Sequence, residues 1–179
     1  MGKEKREYKV EIDVSGPKPV PKLKGIGSND RIEFDKTKNN MKKVDHYRIR
    51  FELDDPSTTN LRFIKDYGEV MWCQPGNTCP SSGTMPGVFW VDEVDKDGEW
   101  VDVINMDMIP QTFGFALNLA DKNIANPTPA DYVTLDPIGE NKNGGSAGSD
   151  FTVSAFAAVT IGAAAGLATF AAARLLLSA

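Results

Sequence analysis

The sequence is poor in the side chains that most often perform catalysis or bind metal ions. It contains a single histidine, His46, and two cysteines, Cys73 and Cys79. A zinc site usually needs four such ligands, and a histidine base needs a nucleophile and an orienting partner. A P-loop, a dinucleotide fingerprint and a nucleophile elbow are also missing. We therefore predict no enzyme, cofactor or metal site, and we expect His46 to face solvent at a strand start.

An amino-terminal secretion signal is not expected either, because the charged residues 3–7 are not followed by an apolar run. Charge is unevenly distributed: residues 1–50 carry a net charge of +6 and residues 51–179 carry −11. The basic residues Lys3, Lys5, Arg6 and Lys9 alternate with glutamates. This mixture favours a solvated arm over contact with lipid head groups or an acidic partner. Nucleic acid is not an expected partner.

Alternating apolar and polar residues predict a series of short strands. The clearest run is 46–53, where Tyr47, Ile49, Phe51 and Leu53 alternate with polar residues. Asp95 to Gly98 predicts a hairpin turn, because Asp-Gly readily supplies positive φ angles. The other candidate strands are 8–14, 31–34, 61–64, 70–73, 88–91, 100–104, 112–119 and 132–135.

These strands predict a mainly β fold, an antiparallel β-sandwich with an immunoglobulin-like or jelly-roll topology. The sandwich is expected to span residues 31–138, and strand 8–14 is expected to belong to it. The rest of residues 1–30 is predicted as a connection rich in Pro, Gly and Lys. Residues 139–150 are rich in Gly and Ser and are predicted to form a flexible tether.

Several side chains inside the predicted sandwich have alternative interpretations. Cys73 and Cys79 flank five residues, a spacing compatible with a small disulfide loop in an oxidising compartment. The acidic run from Asp92 to Glu99 fits a solvated hairpin tip better than a calcium loop, since Trp100 occupies the position that requires glycine. The three tryptophans, Trp72, Trp90 and Trp100, are expected to pack in the core more often than to bind ligands.

Residues 151–177 are predicted to form one transmembrane or membrane-embedded helix. Residues 151–173 contain no charge, and a helix of this length spans the roughly 30 Å hydrocarbon core. Ala and Gly are abundant, so a lone helix would insert only marginally. Small residues recur every four positions and form a smooth ridge that favours close packing against another helix. The ridge residues are Ser154, Ala158, Gly162 and Gly166.

The predicted topology is tail-anchored, with the β domain in the cytoplasm and the lipid bilayer as a partner. The first functional hypothesis is a membrane-anchored structural or protein-interaction module that forms a homo-oligomer through its helix. An alternative is a tethered ligand-binding or adaptor domain that uses the helix only as an anchor. In a second alternative, the helix is buried in a soluble oligomeric assembly.

Overall fold

The computed structural model describes residues 3–26, 31–42, 45–83 and 89–142. These residues form eleven β-strands and one short 3-10 helix, Pro129–Asp131. The strands are β1 (Lys3–Asp13), β2 (Val20–Leu23), β3 (Arg31–Phe34), β4 (His46–Leu53), β5 (Leu61–Phe63), β6 (Met71–Pro75), β7 (Phe89–Val94), β8 (Trp100–Asn105), β9 (Gln111–Asp121), β10 (Val133–Leu135) and β11 (Ile138–Asn141).

The strands form two sheets. Sheet A has five strands in the order β2-β1-β4-β8-β7. Sheet B has six strands built around the long strand β9, which pairs with β5 and β6 along one side and with β10 and β11 along the other. Strand β3 extends sheet B beyond β11. The prediction of a mainly β fold is therefore confirmed.

Both sheets are mixed, which corrects the prediction of a wholly antiparallel sandwich. Strand β1 runs parallel to β4, and β3 runs parallel to β11. Parallel neighbours need a long connection between them, because a tight turn joins only antiparallel strands. Here β2 and β3 intervene between β1 and β4. Alternation along a strand predicts the buried face but not the direction of its neighbour.

One core lies between the inner faces of the two sheets. In β4 every second residue is buried, as the sequence pattern predicts. Aromatic rings join the sheets: Phe51 of sheet A lies 5.9 Å from Phe115 of sheet B, and Phe89 lies 5.1 Å from Phe113. Fully burying a phenylalanine stabilises a fold by about 1.5–3 kcal/mol, so this layer dominates the stability of the domain.

Two strands fall where the sequence predicts connections. Strand β2 lies inside the predicted connection, with Pro21 opposite Ile12 of β1. Proline is tolerated there because β2 is an edge strand of sheet A. Strand β11 takes up the first residues of the predicted tether. Its Gly139 packs so closely that an added Cβ would lie 3.2 Å from the Phe115 ring. The β domain therefore extends to Asn141.

The remainder of the predicted tether, 143–150, and the predicted helix, 151–177, lie outside the described residues. In the ranges that the structure does describe, no helix combines the length and the apolar character required to cross a bilayer.

Candidate functional site

The outer face of sheet A carries a dense set of charged side chains. Because side chains alternate along a strand, those opposite to the core residues point away from sheet B. Ion pairs connect neighbouring strands on this face, as between Lys9 of β1 and Glu52 of β4, whose atoms are 2.9 Å apart. Most of these pairs are exposed and contribute little to the stability of the fold.

Asp102 of β8 is the exception, because it is almost completely buried on this outer face. Its carboxylate is 2% exposed and accepts hydrogen bonds from two arginines of β4. Arg50 donates twice, from Nε at 2.7 Å and from Nη2 at 2.8 Å. Arg48 donates from Nε at 2.9 Å. Hydrogen bonding to Asp102 raises the pKa of Arg50. The carboxylate therefore holds both guanidinium groups in fixed positions.

The two arginines also contact groups beyond Asp102, namely an aromatic ring and the carboxylates of an edge strand. The Arg50 guanidinium lies 3.8 Å from the centre of the Trp100 ring, a cation–π contact. Nη2 of Arg48 lies 3.1 Å from Asp92 and 3.2 Å from Glu93, both on the edge strand β7. Asp102 is thus the centre of a network that spans β4, β8 and β7.

Beside this network lies a surface hollow of about 310 Å³. We call it the tryptophan hollow, because Trp90 is 41% exposed at its wall. Both apolar and charged side chains line it. Nδ1 of His46 is buried without a hydrogen-bond partner among the described residues. The lining residues are Lys3, His46, Arg48, Trp90, Asp92, Ile104 and Met106.

The hairpin that ends the network is confirmed as predicted. Strands β7 and β8 are antiparallel, and Gly98 at their turn has a φ of 74°. The Asp95 carboxylate accepts the N–H groups of Asp97 at 3.0 Å and Glu99 at 3.2 Å, which fixes the turn. An added Cβ at Gly98 would lie 2.8 Å from the Phe63 carbonyl oxygen. Only glycine therefore fits both the turn and this contact.

A second hollow, of about 540 Å³, lies between the end of β1 and the turn after β4. Its two aspartates stabilise the turns in which they lie. The Asp13 carboxylate accepts a hydrogen bond from the Ser15 hydroxyl, and the Asp55 carboxylate accepts one from the Ser57 hydroxyl, each at 2.6 Å. These hydrogen bonds lower the pKa of both aspartates. Their arrangement is that of turn-forming side chains.

The outer face of sheet B differs, because the chain's own loops cover it. The loop after β6 passes so close to Gly114 of β9 that an added Cβ would lie 2.0 Å from the Thr78 carbonyl oxygen. Asn118 of β9 is fully buried and donates to the Glu69 carbonyl at 2.8 Å. Trp72 is buried beside Tyr132, with ring centres 5.8 Å apart.

The tryptophans therefore have three different environments. Trp72 is buried as expected, Trp100 is half-buried under Arg50, and Trp90 is exposed. The expectation of core packing is wrong for Trp90. Trp90 lies between Phe89 and Val91 in β7, and both of these residues face the core. The alternation of side chains along the strand therefore predicts that Trp90 faces outward.

The predicted cysteine pair lies on β6 and on the loop that follows it. Cys73 is buried in the core and Cys79 is exposed, and each is a free thiol. Burial raises the pKa of Cys73 to about 12 and, together with Asp136, raises that of Cys79 to about 11. Both thiols are thus protonated and weakly nucleophilic at neutral pH. The disulfide stays a prediction.

The predicted helix-packing residues, Ser154, Ala158, Gly162 and Gly166, lie outside the described residues. Sequence reasoning missed the network of Arg48, Arg50 and Asp102. Arg48 and Arg50 are visible in the sequence as neighbours on one strand face, but their carboxylate partner comes from a strand more than fifty residues away.

Across the ranges that the structure describes, no group of three or more His, Cys, Asp or Glu side chains is arranged to hold a metal ion. No protein-family model matches the chain, and a search of curated proteins gives no significant match.

Proposed function

We propose that the chain is a membrane-anchored structural or protein-interaction module. The observation that carries the interaction part is the contrast between the two outer faces: sheet B is covered by its own loops, whereas sheet A exposes Trp90 beside a fixed charge network. Exposed aromatic side chains next to ordered arginines are frequent in protein interfaces.

The membrane part of the proposal is supported by the uncharged run of residues 151–173. In this proposal the helix 151–177 anchors a cytoplasmic β domain and self-associates through the ridge of Ser154, Ala158, Gly162 and Gly166. The β domain is an immunoglobulin-like or jelly-roll sandwich that departs from the antiparallel pattern of both in its two parallel pairs.

Extraction of membranes with alkaline carbonate tests the anchor. The full-length chain is expected to remain in the pellet. Its recovery in the soluble fraction would contradict the anchor and favour the alternative in which the helix is buried in a soluble assembly.

Substitution of the ridge tests self-association in the full-length chain. Gly162→Leu together with Gly166→Leu places bulky side chains on the ridge and is expected to reduce the oligomer to monomers. Ala164→Leu lies on another face of the helix and is the matched control, expected to keep the oligomer. If the double variant keeps it too, the helix serves only as an anchor.

The tryptophan hollow supports that remaining alternative, a tethered adaptor or ligand-binding domain. Its apolar walls and nearby fixed charges are what a site for a peptide or small ligand needs. In this alternative the hollow carries the function and the helix supplies only location.

A further inference from the structure

Strand β7 is an open edge of sheet A. It is the last strand in the order of that sheet and pairs only with β8 among the described residues. The Asp95 N–H bonds to the Trp100 carbonyl, so even-numbered residues of β8 direct their backbone groups toward β7. Trp90, opposite Ile104, is therefore bonded to β8, and the alternation leaves the N–H and C=O groups of Phe89 and Val91 on the open side.

Two other edge strands of the described sheets are partly covered. Strand β2, at the opposite edge of sheet A, lies beside β10 of sheet B. At the edge strand β3, the carbonyl of Glu33 accepts a hydrogen bond from Arg6. An unpaired edge is a template for another strand. In β7 the free groups of Phe89 and Val91 come before a bulge at Asp92, where the register with β8 shifts.

The surroundings of this edge are acidic. Six carboxylates lie on or next to the β7–β8 hairpin: Asp92, Glu93, Asp95, Asp97, Glu99 and Asp102. Four cations lie among them: Arg48, Arg50 and Lys96 in ion pairs, and Lys3 in the lining of the tryptophan hollow. The net formal charge of this group is −2. The Glu93 side chain is 54% exposed. A partner strand with basic side chains is therefore complementary, and an acidic one is repelled.

The tryptophan hollow supplies an apolar position next to the carboxylates. Trp90 lies on the same outer face as Asp92 and faces Ile104 of β8. A strand added beside β7 would direct every second side chain to this face. One apolar side chain would reach Trp90, while the side chain two positions nearer the hairpin turn would reach the carboxylates of Asp92 and Glu93.

We propose that β7 binds an extended, basic segment of a partner protein as a sixth strand of sheet A, with an apolar side chain of that segment in the tryptophan hollow. Backbone hydrogen bonds supply the affinity in this mode, and alternate side chains supply the specificity. The proposal rests on the proposed function, since it names the partner class of the interaction module.

The experiment titrates full-length chain with a capped peptide, Thr-Lys-Thr-Leu-Thr-Lys-Thr, by calorimetry and by tryptophan emission. The peptide places its lysines and leucine on one face in either strand direction. Binding is expected, with a change in emission from Trp90. A peptide with glutamates in place of the lysines, and one N-methylated on the amides that would face β7, are each expected to bind at least about tenfold more weakly.

Two variants of the chain localise the binding. Trp90→Ala and Glu93→Lys are each expected to weaken it about fivefold or more, and Val14→Thr, at an exposed site away from β7, is expected to leave it unchanged. Absence of binding, or equal binding of the N-methylated peptide, would overturn strand addition.

Equal binding of the glutamate peptide would overturn the basic partner. If Glu93→Lys dissociates the oligomer of the chain itself, a second copy occupies the edge and the proposal of a basic partner protein is wrong. Carbonate extraction and the Gly162/Gly166 variant report on the helix alone, so this proposal and the membrane anchor fail separately.

Discussion

The outer faces of the two sheets differ in what covers them. Each sheet has one face on the core, and the other must either meet water or be covered. Sheet B is covered by the chain itself: Gly114 lets the loop after β6 approach the backbone, and Asn118 donates a hydrogen bond to Glu69 in the loop after β5. No loop among the described residues covers the outer face of sheet A, which carries the ion pairs centred on Asp102. The outer face of sheet B is covered by loops and offers little surface to a partner. The outer face of sheet A presents side chains that a partner could contact.

The largest loss of stability is expected from a substitution that pushes the loop after β6 away from sheet B. Gly114→Ala would place a methyl group 2.0 Å from the Thr78 carbonyl oxygen, a backbone atom that moves only if the whole loop moves. Overpacking of this kind costs about 3 kcal/mol of unfolding free energy. Chemical denaturation of the variant measures it.

Gly16→Ala is the matched control. The nearest atom to its added Cβ is the Lys18 carbonyl oxygen at 3.8 Å, an ordinary contact. Its unfolding free energy should stay within about 0.5 kcal/mol of the parent chain. Equal stability of the two variants would mean that the loop does not seal sheet B in solution.

A smaller loss is expected from the centre of the charge network on sheet A. Asp102→Asn keeps the size of the side chain but removes the charge that holds Arg48 and Arg50. The two arginines are partly exposed, so water can hydrate them again in the variant. We therefore expect a loss of about 2 kcal/mol in unfolding free energy, which is less than the loss for a fully buried pair. Asp97→Asn, at the exposed hairpin tip, is the control and is expected to change the denaturation midpoint very little. A loss no greater than that of the control would show that the network does not support the face.

The contrast between the faces also explains what the sequence predicts and what it leaves open. Alternation in β4 depends only on neighbouring residues, so the buried face and the strand bounds follow from the sequence. The parallel pairing of β1 with β4, the four-residue strands β2 and β11, and the loops over sheet B depend on contacts between distant residues. A Pro or Gly that favours a connection locally is accepted in a strand when an edge or a close approach requires it.

The site follows the same rule. Trp90 could be placed on the outer face from its position between Phe89 and Val91. Asp102 could not be assigned to Arg48 and Arg50, because their meeting depends on the register between β4 and β8.

The last prediction concerns the alkylation rates of the two thiols and has the smallest expected effect on the fold. Cys73 reports on the core, and Cys79 reports on the loop that covers sheet B. Alkylation by iodoacetamide requires the thiolate. Cys79 is exposed with a pKa of about 11, so its rate should rise roughly tenfold for each pH unit from pH 7 to pH 10. Cys73, with a pKa of about 12 and a buried sulfur, should react only in molecules that unfold. Mass spectrometry of timed digests measures both rates.

The raised pKa of Cys73 has a consequence for stability with a definite sign. Its folded-state pKa of about 12 lies above the ordinary thiol value of 9.0, so the folded state holds the proton more tightly than the unfolded state. This contribution is fully present below about pH 9 and is lost as the pH rises toward 12. Rapid native alkylation of Cys73 at neutral pH would mean that the core around β6 opens locally without global unfolding. Failure of both thiols to react before reduction would instead support the predicted disulfide.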